Sequence, residues 1–379
     1  MASPKKQWWL RGSVAVLALL AMVALASSNY VVSAGLLLRL MQPQSSNLLA
    51  RAVRHEVVER RYSLQTPNGE VPARLFAPAN DEKAPAVVLV HGIQHLGIEE
   101  PRLINFARAI AESGVAVMTP QLPGIENYEI SEGSIQTIGD AVRAFSEQRG
   151  GRKVGVIGMS FSGGLALIAA ARDSVIPHVA FVVAVGAHHD LSRVAWFYAT
   201  GAIRRPDGSL LHGPPHEYGP LVIVFGSLGD FFSEKDIPVA RETMRLLLYE
   251  DVAASRKKAE ELSPEGRKLM EDLFAHEQSS LQPALLRNIQ RNSLRLAVLS
   301  PANQIDGLRV PVLLLHGKGD NIIPYTESLW LEHEIPPGLL KQSLVTPLLS
   351  HVDLQEVSIR DHVAVVHFMA VLLQMADET

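Results

Sequence analysis

The sequence contains no cysteine. That excludes disulfides, thiolate catalysis and cysteine-ligated zinc, and it removes any compositional mark of the redox compartment. A strong charge bias is also missing: 35 basic residues face 39 acidic ones, for a net charge of -4. Such a chain has no electrostatic footprint for nucleic acid. There is no GxxxxGK[ST] phosphate loop, no GxGxxG dinucleotide fingerprint and no internal repeat, so no cofactor is implied. What is present is a chain of 379 residues that is 47% hydrophobic and 20% charged. That is long enough for one large α/β domain with an insertion, or for two domains.

Lys5, Lys6 and Arg11 precede a stretch from Gly12 to Leu38 without a charged residue. A run of this length can cross a bilayer as a tilted helix. The competing reading is a cleaved signal peptide, with Ala24-Leu25-Ala26 as a small-x-small site. The run continues through Tyr30-Val31-Val32 to Leu36-Leu37-Leu38, further than a signal peptide needs. The expectation is therefore a single-pass membrane anchor over residues 1–40. Arg39, Arg51 and Arg54 balance the three basic residues on the other flank, so charge orients the anchor only weakly. The short basic N-terminus places the body outside the cytoplasm.

Beyond it, strand and helix patterns alternate. Tyr62–Gln65 and Val71–Leu75 flank a turn at Pro67-Asn68-Gly69-Glu70 and predict a hairpin. Ala84–Val90 reads as a central strand ending in His91-Gly92-Ile93-Gln94. A helix over Pro101–Ser113, a strand over Val115–Met118 and a helix over Ser134–Glu147 follow. Val179–Val185, Val310–Leu315 and Gln342–Thr346 are further strands, and Val357–Met375 is a core-packing helix. Alternation of this kind predicts an α/β fold with a mostly parallel central sheet and helices on both faces. Between 191 and 307 the pattern is mainly helical (Arg241–Arg256, Pro264–Phe274 and Leu285–Leu299), which suggests a cap. Tyr218–Phe232 fits either a helix or a strand. The expected organisation is thus a core from 41–190 and 308–379, with 191–307 inserted.

The chemistry centres on Val154–Ala171. A β-branched apolar run, Val154-Gly155-Val156-Ile157, passes through Gly158-Met159-Ser160-Phe161-Ser162-Gly163-Gly164 into an Ala/Leu-rich helix. A strand that becomes a helix without a loop needs a tight bend, and small residues two before and two after the apex let the two approach. Such a turn lifts the Ser160 hydroxyl clear of the sheet at a helix N-terminus. The common pattern is G-x-S-x-G, and here its last glycine is Ser162.

Active-site residues of an open parallel sheet gather at the carboxyl ends of strands. Ser160, Asp320 and His351 each follow such an end, in the order Ser…Asp…His. In this order and in its elbow, the chain resembles the α/β-hydrolase superfamily over roughly 60–190 and 308–379, in its dienelactone-hydrolase and esterase-like branch. The resemblance implies Ser160 as nucleophile, His351 as general base and then acid, and Asp320 as the carboxylate orienting the imidazole. It also implies an oxyanion hole from the backbone amides of Phe161 and Ile93, with Gln94 next in line.

Asp190, after the preceding strand, is the rival acid, and Asp353 reads as a loop or cap residue. His362 and His367 read as packed histidines of the last helix. His91, His95 and the His188-His189-Asp190 run have no diagnostic metal spacing, and no metal site is expected. The expected activity is cleavage of small-molecule carboxylic esters through an acyl-enzyme, with lipophilic or acyl-chain substrates near a membrane. Acyl transfer or peptide cleavage on the same three residues, and a lipid-binding scaffold without turnover, are the alternatives.

Overall fold

The computed structural model describes residues 28–41, 54–350 and 358–379. Its centre is an eight-stranded sheet of order β1-β2-β4-β3-β5-β6-β9-β10. The strands are β1 (Val57–Thr66), β2 (Gly69–Pro78), β3 (Ala86–Val90), β4 (Ala116–Pro120), β5 (Val154–Met159), β6 (Val179–Val185), β9 (Val312–Gly317) and β10 (Leu340–Thr346). A separate small hairpin holds β7 (Ala202–Arg204) and β8 (Leu210–His212). The six strands from β4 to β10 run parallel, and the expected hairpin β1–β2 joins their edge antiparallel to β4. This is the mostly parallel, helix-flanked sheet of the α/β-hydrolase fold.

The central strands are apolar throughout because both faces are covered. In β3, Val88 and Val90 enter one core while Val87 and Leu89 enter the other. The first core is closed by the helices Glu132–Gln148 and Phe161–Ala170, through Ile138, Val142, Leu165 and Ile168 among others. The second is closed by Pro101–Glu112 and by the C-terminal helix Ile359–Asp377, through Leu103, Ile110, Phe368 and Leu373. Among the described residues, that last helix alone is long and apolar enough to cross a bilayer by length and composition. Its buried face is spent on the sheet.

The helix over residues 28–41 modifies the expectation of an anchor running to Leu38. Ser33, Leu36 and Leu37 are buried, and Leu37 packs on Leu348 and Val365. Asn29 donates to Asp377, the Tyr30 hydroxyl meets His367 Nδ1 at 2.5 Å, and Arg39 pairs with the buried Glu112. The second half of the apolar run is therefore part of the body. The rest of the expected anchor lies outside the described residues.

Between β6 and β9 the chain leaves the sheet through eight helices and the β7–β8 hairpin. Asp190 caps the first helix, Leu191–Thr200, by accepting from the Ser192 and Arg193 amides, and Gly201 ends it at φ 69°. Ser263 and Pro264 open Pro264–Phe274 as expected, the Ser263 hydroxyl accepting from the Gly266 amide. The run expected as one helix over Arg241–Arg256 is two, Ile237–Leu248 and Val252–Ala259, broken where Glu250 takes φ 64°. Tyr218–Phe232 resolves as the helix Tyr218–Gly226 plus a short turn of helix, Leu228–Phe231. These helices share a core of their own, with Leu221, Phe225, Met244, Met270, Leu273 and Leu285 inside it.

Candidate active site

Ser160 stands between β5 and the helix Phe161–Ala170 with no residue to spare. Its backbone lies at φ 56°, ψ -135°, a conformation that costs a non-glycine residue about 1–3 kcal/mol and persists only where its surroundings enforce it. Two things enforce it here. The Ser160 amide donates to the Val185 carbonyl at 2.7 Å, and the Gly163 amide donates back to the Ser160 carbonyl at 2.9 Å. The turn also needs bare backbone, because a Cβ on Gly158 would fall 2.6 Å from Gly163 Cα and from the Ser162 carbonyl. Ser162 itself fits because it is small. Among the described residues its buried hydroxyl has no hydrogen-bond partner, so the position asks for size rather than polarity.

The loop after β3 comes up against this apex. A Cβ built on Gly92 would touch Ser160 Cβ at 3.2 Å and Oγ at 3.8 Å. Ile93 follows directly in the chain. The Phe161 amide is the first of its helix and has no partner within it. Gln94 folds back over the loop: its side-chain oxygen accepts from the Leu96 and Gly97 amides, and its amide group donates to the Gly97 carbonyl. Its role is to fix the loop's shape.

Asp320 lies in the turn after β9, buried, with Oδ1 accepting from the Ile322 and Ile323 amides at 2.9 and 2.8 Å. His316 Nε2 approaches Oδ2 at 3.4 Å and meets the Ile323 carbonyl at 2.8 Å. The neighbouring Tyr198 phenol is pushed well above its ordinary pKa by burial and by the charges of Asp320 and Glu327. His351 and Asp353 lie outside the described residues. The approach to His351 is described: a side chain on Gly317 would collide with the Ser350 carbonyl, so the chain crosses the end of β9 one residue before His351. The rival acid is otherwise occupied, since Asp190 caps a helix and sits 3.7 Å from Arg193.

The histidines weighed for a metal are each engaged within the protein. His188 is fully buried, bonds through Nε2 to the Leu299 carbonyl, and has its pKa lowered to about 4 by burial. His189 pairs with Glu334 and Arg193, and His95 stacks on Tyr249 and reaches the Tyr128 hydroxyl. His91 is buried with its pKa lowered, and its Nε2 lies 3.7 Å from Glu126, whose carboxyl burial raises. Among the described residues no cluster of three or more His, Asp or Glu is arranged to hold a metal.

The cap completes the site with residues that the sequence patterns did not single out. The Tyr218 hydroxyl donates to the Ile93 carbonyl at 3.4 Å, and the His216 amide donates to the Asn321 carbonyl at 2.8 Å. One stretch of cap thus touches both the β3 loop and the Asp320 loop. Beneath it a cavity of about 90 Å³ starts at Phe161 and runs between Val194, Ala195, Val222, Ile223 and Leu299. Its far wall is polar: Asn288, Asn292 and Arg295.

Several known structures align with this chain at low identity. An acylaminoacyl peptidase in complex with Z-Gly-Gly-Phe-chloromethyl ketone aligns over 87% of this chain at 13% identity and a TM-score of 0.51. This chain spans 43% of that protein's length, less than half. A 2,6-dihydroxy-pseudo-oxynicotine hydrolase aligns over 83% of this chain and 68% of its own, at 16% identity and TM-score 0.48. The esterase domain of a Rhodothermus marinus protein aligns over 83% and 96%, at 15% identity and TM-score 0.42. No curated protein matches the sequence. The family model for X-Pro dipeptidyl-peptidase (S15 family) matches residues 146–347, more than half of the chain, from just before β5 to the end of β10. The chain belongs to that family, on an α/β-hydrolase fold.

Proposed function

We propose that the protein cleaves carboxylic esters through an acyl-enzyme formed on Ser160, with Asp320 and His351 completing the catalytic set. A free hydroxyl is a poor nucleophile near neutral pH. The imidazole of His351 takes its proton during attack and returns it to the leaving alcohol, while Asp320 fixes the tautomer and stabilises the imidazolium. The oxyanion that develops on the carbonyl is met by the Phe161 and Ile93 amides, aimed in advance at that position. The observation that carries this reading is Ser160 held at φ 56° beside an apolar cavity whose wall begins at the next residue. A small, half-open, mostly apolar space suits an acyl chain. The apolar N-terminal run supports a membrane tether near lipophilic substrates, with the body on the extracytoplasmic side.

Peptide cleavage is the second reading, favoured by the family match itself. A panel of p-nitrophenyl esters of increasing acyl length, set beside X-Pro p-nitroanilides, separates the two. We expect turnover of the esters, rising with acyl length until the cavity is filled, and no measurable anilide release. Anilide cleavage with kcat/KM within about tenfold of the best ester would replace the esterase reading with the peptidase one, since amides are intrinsically the harder substrate.

A further inference from the structure

The apolar cavity beside Ser160 does not end blindly. Gly226, Ser227, Asn292 and Arg295 line it and also line a second, polar cavity of about 380 Å³, walled further by Glu129, Asp230 and Arg241. The charges in this second space are unequally committed. Asp230 accepts from Asn288 at 2.7 Å, Asn292 at 3.0 Å and Arg291 at 3.1 Å. Burial alone would raise its pKa, but those three bonds hold the carboxyl below its usual range. Glu129 and Arg241 are 4.0 Å apart and both well exposed, a loose pair. Arg295 lines both cavities, and among the described residues the one hydrogen bond its guanidinium makes is to the Gly226 carbonyl at 3.3 Å. Among the described residues it forms no ion pair. A guanidinium has five donors in a planar fork, a shape matched to a carboxylate.

We propose that this site takes acyl groups carrying a carboxylate at the end remote from the ester, the chain lying in the apolar cavity and the carboxylate on Arg295, with Arg241 beside it. The inference rests on the serine-hydrolase reading of Ser160 and narrows it to a substrate class. An apolar path ending at an uncommitted cation favours such a ligand over a neutral one. Reaching the cation binds the charged end, while the polar cavity keeps the far side of the guanidinium hydrated.

The test is the ratio of kcat/KM for mono-p-nitrophenyl esters of glutaric, adipic and suberic acids to that for p-nitrophenyl butyrate, hexanoate and octanoate. We expect the carboxylate-ended ester to be preferred at one chain length at least. Arg295→Ala should lower that ratio by about tenfold or more, the effect of losing a charge-assisted hydrogen bond, and Arg295→Lys should restore part of it. Arg295 is exposed, so the variants should fold, and thermal melts check that they do. A neutral ester preferred at every length, a ratio that Arg295→Ala leaves unmoved, or a preference for amine-ended acyl groups would overturn the inference while leaving ester hydrolysis intact. Turnover of no ester of either series would remove the hydrolase reading and this inference together.

Discussion

Ser160 and Asp320 show how a side chain's work is set by what its neighbours have already been given. Asp320 Oδ1 takes two backbone amides of its own turn, with Oδ2 left on the side of His316. Asp190 spends its carboxylate on the first turn of a cap helix. The two carboxylates therefore predict opposite outcomes. Asp320→Asn should lower kcat by about 10³–10⁴-fold, the scale seen when a histidine loses its orienting carboxylate. Asp190→Asn keeps a good helix cap and should change kcat less than about threefold. Steady-state ester hydrolysis by both variants checks this. The reverse pattern, a large loss for Asp190→Asn and a small one for Asp320→Asn, would move the acid to the end of β6.

The turn at Ser160 was readable residue by residue, because an elbow has a local signature: a β-branched run, small residues around one serine, then helix formers without a gap. The polar end of the cavity was not. Asn288, Asn292 and Arg295 recur at i, i+4 and i+7, yet on a helix surface that spacing looks the same as a solvated stripe. Only the facing helix Tyr218–Gly226 turns it into a wall. That helix resisted assignment for a related reason. Leu221, Val224, Phe225 and Leu228 fill the cap core while Val222 and Ile223 face the cavity, so both sides are apolar and the period vanishes.

Among the elements, a buried ion pair ties the cap to the helix after β9. Glu327, on the helix Thr326–Glu334, is 1% exposed and accepts from Arg193 of the first cap helix at 2.6 and 2.9 Å, and from the His189 and Asp190 amides. The guanidinium also lies over the Trp330 ring. Removing one member of such a set strands a buried charge, so Glu327→Ala should cost about 3–5 kcal/mol in chemical denaturation. A loss below about 1 kcal/mol would show that the cap is held by its apolar contacts instead.

The helix over residues 28–41 is a second case. Its apolar residues read in sequence as the end of a membrane run, because a stripe buried against protein and one buried in lipid look alike one residue at a time. Deleting residues 1–27 should leave the melting temperature within a few degrees while releasing the protein from membranes after alkaline carbonate. Deleting 1–41 removes Leu36, Leu37 and the Arg39–Glu112 pair and should lower it clearly. Equal melting temperatures for the two truncations would show that this helix adds nothing to the body.

For the molecule as a whole, His188 ties stability to pH. Burial is the main cause of its depressed pKa, opposed by its bond to the Leu299 carbonyl, and the ring stays neutral inside the fold. Because about 4 in the folded state lies below 6.5 for the unfolded chain, the unfolded chain takes up the proton first. This contribution is complete above about pH 6.5 and is lost as pH falls towards 4, by roughly 3 kcal/mol over the window. Denaturation midpoints of the wild type should fall across that range, and His188→Gln should show a shallower slope. An unchanged slope would assign the acid sensitivity to other groups. This link between cap and sheet was invisible in the sequence, where His188-His189-Asp190 reads as candidate metal ligands without a diagnostic spacing. What distinguishes the two uses is the Leu299 carbonyl, 111 residues away.

The proposed chemistry requires Ser160 to be an activated nucleophile, and reaction with a fluorophosphonate, followed by mass spectrometry of the digested protein, asks this directly. The expected result is stoichiometric phosphonylation of Ser160 alone in the folded wild type, and none in Ser160→Ala. Folded protein that takes up no label, or takes it up at another residue, would contradict it.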